Sequence, residues 1–277
     1  MGLKDFFTPV KSMDADEAKA FIADRPEDSF TILDVRQPGE YEQEHIPGAK
    51  LIPLPKLSDS LDELDQQKPT IVHCAIGGRS LVAAKLLSGR GFKEVYNLKG
   101  GIKAWQGFKA TGPQEFHLAF LKEAETADAM VRTAYHMEDA LGFFYQTLQK
   151  STTDLELSTL FVDLASYEKQ HKQRIIEICQ QMGLTINEKL LQSKSVGKDF
   201  IEGGLNKEEF LSQNEPYLKK PTDVLNIAMM IETQALDLYL RLSNEVSDEN
   251  AKALLFKIAA EEKKHLGSLA QLLEEKI

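Results

Sequence analysis

The chain has 277 residues, of which 42% are hydrophobic and 27% charged, and its formal net charge is −10. This length has room for two domains, and no segment approaches the ~20 apolar residues that a membrane-spanning helix needs. Since no basic patch suited to a phosphate backbone is evident either, we expect neither a membrane nor a nucleic acid as a partner.

The two cysteines, Cys74 and Cys179, are too few for a disulfide framework, which agrees with a reducing compartment. The N-terminal segment also lacks the apolar run of a signal peptide, so we expect a cytoplasmic protein. Charge is unevenly spread: residues 1–112 have a net charge of −1, and residues 113–277 one of −9. An acidic second half is typical of a solvated helical bundle, and it also attracts cations.

Short apolar runs alternate with helical segments in the first part of the chain, which is the pattern of a parallel α/β sheet flanked by helices. Strands are predicted at residues 31–35, 71–73 and 95–98. Helices are predicted from about Asp14, where Glu17 completes a capping box, and over residues 79–88.

After residues 111–113 (Thr-Gly-Pro) the strand signals vanish and a 3.6-residue period takes over. Four long helices are predicted at residues 114–150, 154–183, 222–245 and 249–276, with a long connector over residues 184–221. A connector of this length can cross a bundle from end to end. The sequence therefore predicts two domains, an α/β domain at residues 1–112 and an all-α four-helix bundle at residues 113–277.

A cysteine-containing loop follows the second predicted strand and opens a helix. A thiol must become a thiolate to attack sulfur, and backbone N–H groups that surround the sulfur at a helix N-terminus stabilise that anion. Gly77 and Gly78 let the backbone curl around Cys74, and Arg79 adds a positive charge that persists at neutral pH. The alternative, that Cys74 is a small buried residue without chemistry, accounts for neither the glycines nor the arginine.

Four ordered motifs make this part of the chain resemble a single-domain rhodanese, and they lie at residues 33–36, 45–49, 74–80 and 98–105. One departure is Glu44, where the family commonly has glycine. The resemblance implies a sulfurtransferase in which Cys74 takes sulfur from a sulfane-sulfur donor, forms a persulfide and passes the sulfur to a thiol acceptor. Arg79 would assist catalysis. The rest of the active-site loop would be Ala75, Ile76, Gly77, Gly78 and Ser80.

Loop length separates this resemblance from the related dual-specificity phosphatases. Four residues lie between Cys74 and Arg79, whereas the phosphatases have five, and the shorter loop suits a single sulfur atom. Asp34 and Arg36 are interpreted as a structural ion pair or loop support. His73 and Trp105 are interpreted as packing residues, as is Cys179 in the helical part.

A second pattern repeats in the helical part. A glutamate is followed 30 residues later by another glutamate and three residues after that by a histidine, and the whole unit recurs at an offset of 94 residues. The six residues are Glu138, Glu168, His171, Glu232, Glu262 and His265. A tyrosine follows the first glutamate of each unit seven residues later, and these are Tyr145 and Tyr239.

The spacing places each pair of glutamates at one height. In an antiparallel helical hairpin, Glu138 and Glu168 both lie ~20 Å from the turn between their helices. All six residues interrupt apolar stripes that should face the core, where unpaired ionisable groups are costly. Charged helix residues are usually solvated, and a single Glu-x-x-His is weak, but two in matching contexts favour a site for two divalent metal ions.

This pattern resembles the di-iron carboxylate bundles of ferritin-like proteins, and most closely those of rubrerythrin-like proteins. The resemblance implies two iron ions, with manganese or another divalent metal as alternatives. Two glutamates would bridge the ions, namely Glu168 and Glu262. Each ion would also have one terminal glutamate, Glu138 or Glu232, and one histidine, His171 or His265. The two tyrosines would contact these ligands without binding the metal ions themselves.

Two departures from the rubrerythrin pattern leave the peroxide specificity and the electron donor open. The position three residues after Glu232 is Ala235, where the family usually has a further glutamate. The paired Cys-x-x-Cys motifs of an electron-transfer module are also missing from this sequence.

For the chain as a whole we expect a sulfurtransferase coupled to a di-iron centre that reduces peroxide or oxygen. A sulfur substrate would supply electrons in place of the missing module. Two alternatives stay open: the bundle binds or senses iron without redox turnover, or it serves only for dimerisation. A homodimer is expected, because ferritin-like bundles commonly pair.

Overall fold

A computed structural model describes residues 9–115, 126–184 and 200–277 of the chain. It divides into two compact units, Met1–Phe116 and His117–Ile277. The domain bounds predicted from the sequence, 1–112 and 113–277, stay a prediction. Within the three described ranges, no helix is both long enough and apolar enough to cross a membrane.

Five strands form the sheet of the first unit, in the order β1-β5-β4-β2-β3, and every neighbouring pair is parallel. The strands are β1 Lys11–Met13, β2 Thr31–Asp34, β3 Lys50–Leu51, β4 Thr70–His73 and β5 Val95–Leu98. All four residues of the central strand β4 are buried, as expected for a parallel sheet covered on both faces. The three predicted strands are confirmed, while β1 and β3 were too short to give a signal.

Four helices accompany this sheet: α1 Ala15–Ala23, α2 Pro38–Gln43, α3 Gly78–Gly89 and α4 Gly101–Ala104. The predicted capping box at the start of α1 is present, because Asp14 and Glu17 each accept the other's backbone N–H. Four residues lie between the end of β4 and the start of α3, so the cysteine loop lies at the carboxyl edge of the sheet. The register Asp34↔His73 places the end of β2 at that same edge.

The segment that follows β2 is fixed by a buried ion pair. The Arg36 guanidinium donates to both carboxylate oxygens of Asp34, with a shortest distance of 2.6 Å, and to the carbonyl oxygen of Glu44 at 2.7 Å. The interpretation of Asp34 and Arg36 as structural is thus confirmed. Glu44 itself is accommodated by an ion pair of 2.9 Å to Lys109.

The second unit contains four long helices: α5 Ala127–Ser151, α6 Leu155–Gln181, α8 Pro221–Glu245 and α9 Glu249–Glu274. Helix α5 packs chiefly against α6, and α8 against α9, so the bundle consists of two helical hairpins. Three N-caps define the starts, because the side chains of Thr126, Asp154 and Asp248 each accept a backbone N–H of the first turn.

The predicted start of the first long helix near residue 114 is wrong. Residues 113–115 are not helical, residues 116–125 lie outside the described ranges, and α5 begins after its cap at Thr126. The turn between α5 and α6 is short, because Ser151 ends α5 and Asp154 caps α6. The other helix bounds agree with the prediction to within two residues.

The connector between the two hairpins has structure of its own, which the sequence did not predict. A short antiparallel pair, β6 Phe200–Ile201 and β7 Leu205–Asn206, is followed by helix α7 Lys207–Asn214. At its tip, a Cβ added to Gly203 would lie 2.8 Å from Cβ of Gln234 and 3.2 Å from the backbone nitrogen of Ala235. The tip therefore lies directly against α8 at those two residues. Residues 185–199 of the connector lie outside the described ranges.

Gly101 provides a stability test of the cysteine loop. Its φ is +58°, and an added Cβ would lie 2.2 Å from the carbonyl oxygen of Cys74. We expect Gly101→Ala to lower the free energy of unfolding of the first unit by roughly 2 kcal/mol or more, because the backbone is strained and the loop is displaced. Gly39→Ala is the control, since Gly39 has no neighbour within 4 Å of an added Cβ. Urea unfolding followed by the fluorescence of Trp105, the single tryptophan, measures both; equal stabilities would contradict the close approach.

Candidate functional site

The thiol of Cys74 lies inside a cradle of hydrogen-bond donors. The residue follows β4 directly and is 1% exposed. The backbone N–H of Gly77 donates to Sγ over 3.2 Å, and the Ser80 hydroxyl lies 3.5 Å from it. Gly77 itself has φ +97°, a left-handed conformation that aims its N–H at the sulfur and that side chains disfavour.

These donors lower the pKa of Cys74. Burial alone would raise it, but the Ser80 hydroxyl and the backbone N–H groups of Ser80, Ile76 and Gly77 outweigh that effect. The thiolate is therefore favoured, as a nucleophile requires. The Ser80 hydroxyl also lies 2.7 Å from Oδ1 of Asn97, and a hydroxyl has one proton, so these two acceptors compete for it. Asn97 was missed by the sequence analysis, although a buried polar residue in strand β5 is a signal for it.

Arg79 forms a bidentate ion pair with Glu40, a residue that the sequence analysis also missed. Two guanidinium nitrogens of Arg79 donate to the two carboxylate oxygens of Glu40 at 2.7 and 2.6 Å. The Arg79 hydrogen bond lowers the pKa of Glu40 to about 2 and raises that of Arg79. Both side chains are about one third exposed. The pair fixes the end of the loop. The negative charge of Cys74 also contributes to the raised pKa of Arg79, so the guanidinium and the thiolate attract each other.

The residues interpreted as packing groups are buried. His73 is fully buried, and burial lowers its pKa to about 4, so it is neutral at neutral pH. Trp105 is 8% exposed and donates its indole N–H to the carbonyl of Phe108 at 3.0 Å. Cys179 is fully buried in α6, and burial raises its pKa to about 11. Among the described residues, Cys74 is therefore the thiol with chemistry.

Thiol labelling tests this difference. We expect iodoacetamide at pH 7 to modify Cys74 well before Cys179 in the folded protein, because only the pKa of Cys74 is lowered. Ser80→Ala should raise the pKa of Cys74 and move the midpoint of its labelling rate to higher pH, whereas Ser88→Ala, at the far end of the same helix, should not. Peptide mass spectrometry after labelling at several pH values gives both rates. An unchanged midpoint in Ser80→Ala would mean that the hydroxyl does not stabilise the thiolate.

The structure brings all six metal-ligand candidates together in the interior of the bundle. They form two overlapping groups with potential ligand atoms within 4.8 Å of one another, and His171 belongs to both. Five of the six residues are buried, and His265 is 19% exposed at its side chain. One group consists of His171, Glu232, Glu262 and His265. The other consists of Glu138, Glu168, His171 and Glu202, a residue of the connector that the sequence analysis missed.

The distances between the ligand atoms of His171, Glu168 and Glu138 fit a shared cation better than hydrogen bonds among these side chains. Nδ1 of His171 lies 3.0 Å from Oε2 of Glu168 and 3.3 Å from Oε2 of Glu138, yet it makes no hydrogen bond with either. Both oxygens of Glu138 likewise lack a hydrogen-bond partner. Two atoms that bind one ion at about 2.1 Å and at a right angle lie about 3.0 Å apart, which matches these separations.

The electrostatics of the buried carboxylates also favour a positive charge within the cluster. Burial, followed by the repulsion of the neighbouring carboxylates, raises the pKa values of Glu138, Glu232 and Glu262 well above their usual range. Burial opposes the charged form of His171, but the close approach and negative charge of Glu168 raise its pKa to about 10. A set of carboxylate oxygens and imidazole nitrogens is suited to iron or manganese, so the residues present fit that group.

Both tyrosines of the repeat lie at the cluster. The Tyr239 hydroxyl donates to Oε1 of Glu202 over 3.5 Å. Tyr145 is buried and belongs to the apolar core of the bundle. Burial and the carboxylate charges raise the pKa of both phenols well above the usual value, so they remain protonated donors.

A cavity of about 300 Å³ opens beside the cluster, mainly between α6 and α9. Its wall includes Glu168, Glu232 and the rings of His171 and His265, which stack with centroids 3.3 Å apart. An ion pair of 3.3 Å between Arg174 and Glu261 also lines it. The cluster is thus accessible from one side to a small molecule.

Comparison with known families finds a match in each of the two units. Residues 129–273 match the rubrerythrin family model, and residues 14–108 match the model of the rhodanese-like domain. The chain therefore belongs to the rubrerythrin family through its second unit, and its first unit is a rhodanese-like domain.

Individual relatives match the rhodanese-like part. The thiosulfate sulfurtransferase GlpE of Coxiella burnetii is 40% identical over 82 residues, which cover 30% of this chain and 77% of that protein. The rhodanese-like/PpiC domain-containing protein 12 of Arabidopsis thaliana is 38% identical over 35% of this chain. A solved rhodanese-like domain protein from Staphylococcus aureus is 32% identical, covering 35% of this chain and 91% of its own, with a TM-score of 0.33. The chain spans 34%, 60% and 44% of the length of three curated relatives.

The pH dependence of the metal-free protein tests the buried cluster. A carboxyl group whose pKa is raised on folding contributes stability that is present at low pH and is lost as the pH rises through the folded-state pKa. The pKa values of Glu138, Glu232 and Glu262 are raised, and that of His171 is raised too, so we expect the metal-free bundle to be less stable at pH 7.5 than at pH 5. His265, with a pKa lowered to about 3, opposes this trend in part.

Far-UV circular dichroism during urea unfolding reports the helical unit, and Trp105 fluorescence reports the first unit separately. Glu138→Gln should flatten the pH dependence, whereas Asp139→Asn, at the exposed neighbouring position, should leave it unchanged. Greater stability at pH 7.5 than at pH 5 without metal would contradict the buried cluster.

Proposed function

We propose that the chain is a sulfurtransferase that forms a persulfide on Cys74 and is coupled to a di-iron centre that reduces peroxide or oxygen. The observation that carries the proposal is the pairing of two specialised environments: a thiol in a cradle of donors, and a buried group of carboxylates and imidazoles in which several ligand atoms lack a hydrogen-bond partner. The rhodanese-like and rubrerythrin matches support each half.

In the sulfur half, the thiolate of Cys74 attacks a sulfane sulfur. With thiosulfate the step is Cys–S⁻ + S–SO₃²⁻ → Cys–S–S⁻ + SO₃²⁻, so one sulfur–sulfur bond forms and another breaks. A thiolate acceptor then takes the outer sulfur, RS⁻ + Cys–S–S⁻ → RS–S⁻ + Cys–S⁻. The loop N–H groups and Ser80 stabilise negative charge on sulfur, while the Arg79–Glu40 pair holds the loop in shape.

The size of the loop and its exposed tip support sulfur as the transferred group. Ile76 is 68% exposed next to Cys74, so a docking donor or acceptor meets an apolar side chain at the mouth of the loop. Because Glu40 neutralises Arg79, the mouth does not rely on a lone cation to attract an anionic donor. A thiol or persulfide of a small molecule or protein is therefore a suitable acceptor.

In the bundle, two iron ions would be held by the residues of the repeat. The resemblance to di-iron carboxylate bundles supports Glu168 and Glu262 as the ligands that would bridge the two ions, and both are buried in the cluster. Glu138 and Glu232 would be terminal ligands, with one histidine, His171 or His265, for each ion. Iron bound there supplies one-electron redox chemistry at two adjacent ions.

The surrounding residues of this chain prepare the site for a small oxidant. The cavity beside the stacked imidazoles leads to Glu168 and Glu232, and it exceeds the ~30 Å³ of a water-sized molecule such as peroxide. Tyr239 and Tyr145 keep their phenolic protons because their pKa values are raised, so they orient neighbouring carboxylates as donors. The apolar core that contains Tyr145 limits the access of bulk water to the cluster.

The coupling rests on electron balance. Peroxide needs two electrons and two protons, H₂O₂ + 2e⁻ + 2H⁺ → 2H₂O, and oxidation of two thiols or hydropersulfides to a disulfide or polysulfide releases the same number. Thiols and persulfides are therefore the class of reductant that the proposal requires. A bundle that binds iron without turnover, or that only dimerises, is the alternative. A homodimer and a cytoplasmic location stay predictions.

Paired variants separate the two halves. We expect Cys74→Ser to abolish transfer of sulfur from thiosulfate to cyanide and to leave iron binding intact, and Glu168→Ala to do the reverse. Anaerobic Fe(II) titration of the metal-free protein should give two ions per chain in the native form and sharply fewer in Glu168→Ala. Cys179→Ser is the control for the cysteine, because that thiol is buried and its pKa is raised. Sulfur transfer that survives Cys74→Ser would contradict the first half.

The coupling has its own measurement. Peroxide consumption by the iron-loaded protein should require a persulfide or thiol and should fall in both Cys74→Ser and Glu168→Ala. Consumption that proceeds at the same rate without a persulfide donor would argue against coupling. Absence of turnover with two irons bound would favour the iron-binding alternative.

A further inference from the structure

Glu202 is a buried carboxylate that the repeat does not include. It lies at the tip of the β6–β7 pair, outside the four long helices, yet its side chain is 0% exposed. Its Oε1 accepts the hydroxyl of Tyr239 at 3.5 Å, and its Oε2 has no hydrogen-bond partner. An acidic side chain that enters a bundle core with one free oxygen needs a partner that is not a protein donor.

The position of that side chain identifies the partner. Glu202 offers an oxygen within 4.8 Å of ligand atoms of Glu138, Glu168 and His171, so it belongs to one of the two potential metal groups. Burial and the charges of Glu232 and Glu168 raise its pKa, which is the behaviour of a carboxylate among other carboxylates. A cation in their midst would bind the free oxygens of Glu138 and Glu202 together.

Backbone geometry shows how the connector delivers this residue. Gly203 and Gly204 have φ of +72° and +73°, and these turns point the preceding side chain into the bundle. The tip rests on α8 at Ala235, where an added Cβ on Gly203 would come within 3.2 Å of the Ala235 backbone nitrogen. Ala235 is fully buried, and its small side chain leaves room for the connector.

We propose that Glu202 is a direct ligand of one of the two metal ions and that the connector supplies it. The inference rests on the proposed metal centre and extends it by a seventh protein ligand.

Glu202 makes the two metal positions chemically different. Of the two groups of ligand atoms, the one with Glu138, Glu168 and His171 contains a third carboxylate, Glu202, whereas the other group contains only Glu232 and Glu262 as carboxylates. More anionic oxygen favours harder or more highly charged cations. The two positions therefore fill with different affinities, and the carboxylate-rich one fills first with Mn(II) or Fe(II).

Metal titration of the full chain tests the proposal directly. Metal-free protein is titrated with Co(II), which reports its coordination by visible absorption, and in parallel with anaerobic Fe(II). Glu202→Gln keeps the shape of the side chain but removes its charge, and we expect at least tenfold weaker binding of one of the two ions, with a changed absorption spectrum for that ion. Glu208→Gln is the matched control, because Glu208 is an exposed glutamate six residues along the same connector.

Each outcome has a distinct meaning. Two ions bound by Glu202→Gln with native affinity and spectrum would overturn the proposal, as would equal weakening of both ions, which would indicate a general structural role. If the native protein does not bind two ions, the metal half of the proposed function fails as well. This outcome is distinguishable from failure of the Glu202 proposal alone, in which the native protein still binds two ions. Circular dichroism checks the fold of the variant, and Glu202→Ala replaces it if Glu202→Gln does not fold; the expected loss of one ion is the same.

Discussion

A charge buried in the interior of a bundle must be balanced within a few ångströms, and this constraint organises the second unit. Carboxylates from all four long helices and from the connector converge with two imidazoles, and burial raises most of their pKa values. Apolar packing alone would not select this arrangement, because each desolvated carboxylate costs several kcal/mol without a partner. Protons can supply this balance in the metal-free protein, and a cation would supply it in the proposed metal centre.

The first unit meets a related constraint on a smaller scale. There a single anion on sulfur is stabilised by neutral donors, which backbone curvature brings to one point. Such a cradle depends on close approach: Gly101 lets the backbone N–H groups of Ile102 and Lys103 bond to the carbonyls of Cys74 and Ala75 at 2.8 and 3.1 Å. The loop is thus held from outside, so its own N–H groups stay free to face the sulfur.

Much of this organisation could be predicted from sequence, for a physical reason. Glu138 and Glu168 are placed by helix geometry and a short turn, both of which are local, so their spacing alone puts them at one height. Cys74 is similarly determined by its own loop. Glu40 and Glu202 escaped prediction because their positions depend on long-range contacts: Glu40 meets its partner Arg79 across 39 residues, and Glu202 depends on how the connector folds back onto α8. The start of α5 was misplaced because apolar periodicity does not reveal where a helix begins. The N-cap at Thr126 marks that position.

The hydroxyl of Ser80 sits between two acceptors, Sγ of Cys74 and the amide oxygen of Asn97. In the proposed persulfide, the negative charge lies on the outer sulfur, so the cysteine sulfur would need a proton donor less. The Ser80 hydroxyl would then donate to Asn97, and it would return to the cysteine sulfur once the outer sulfur has left. This donor therefore keeps an acceptor in both proposed forms of the cysteine, which would favour sulfur movement in both directions.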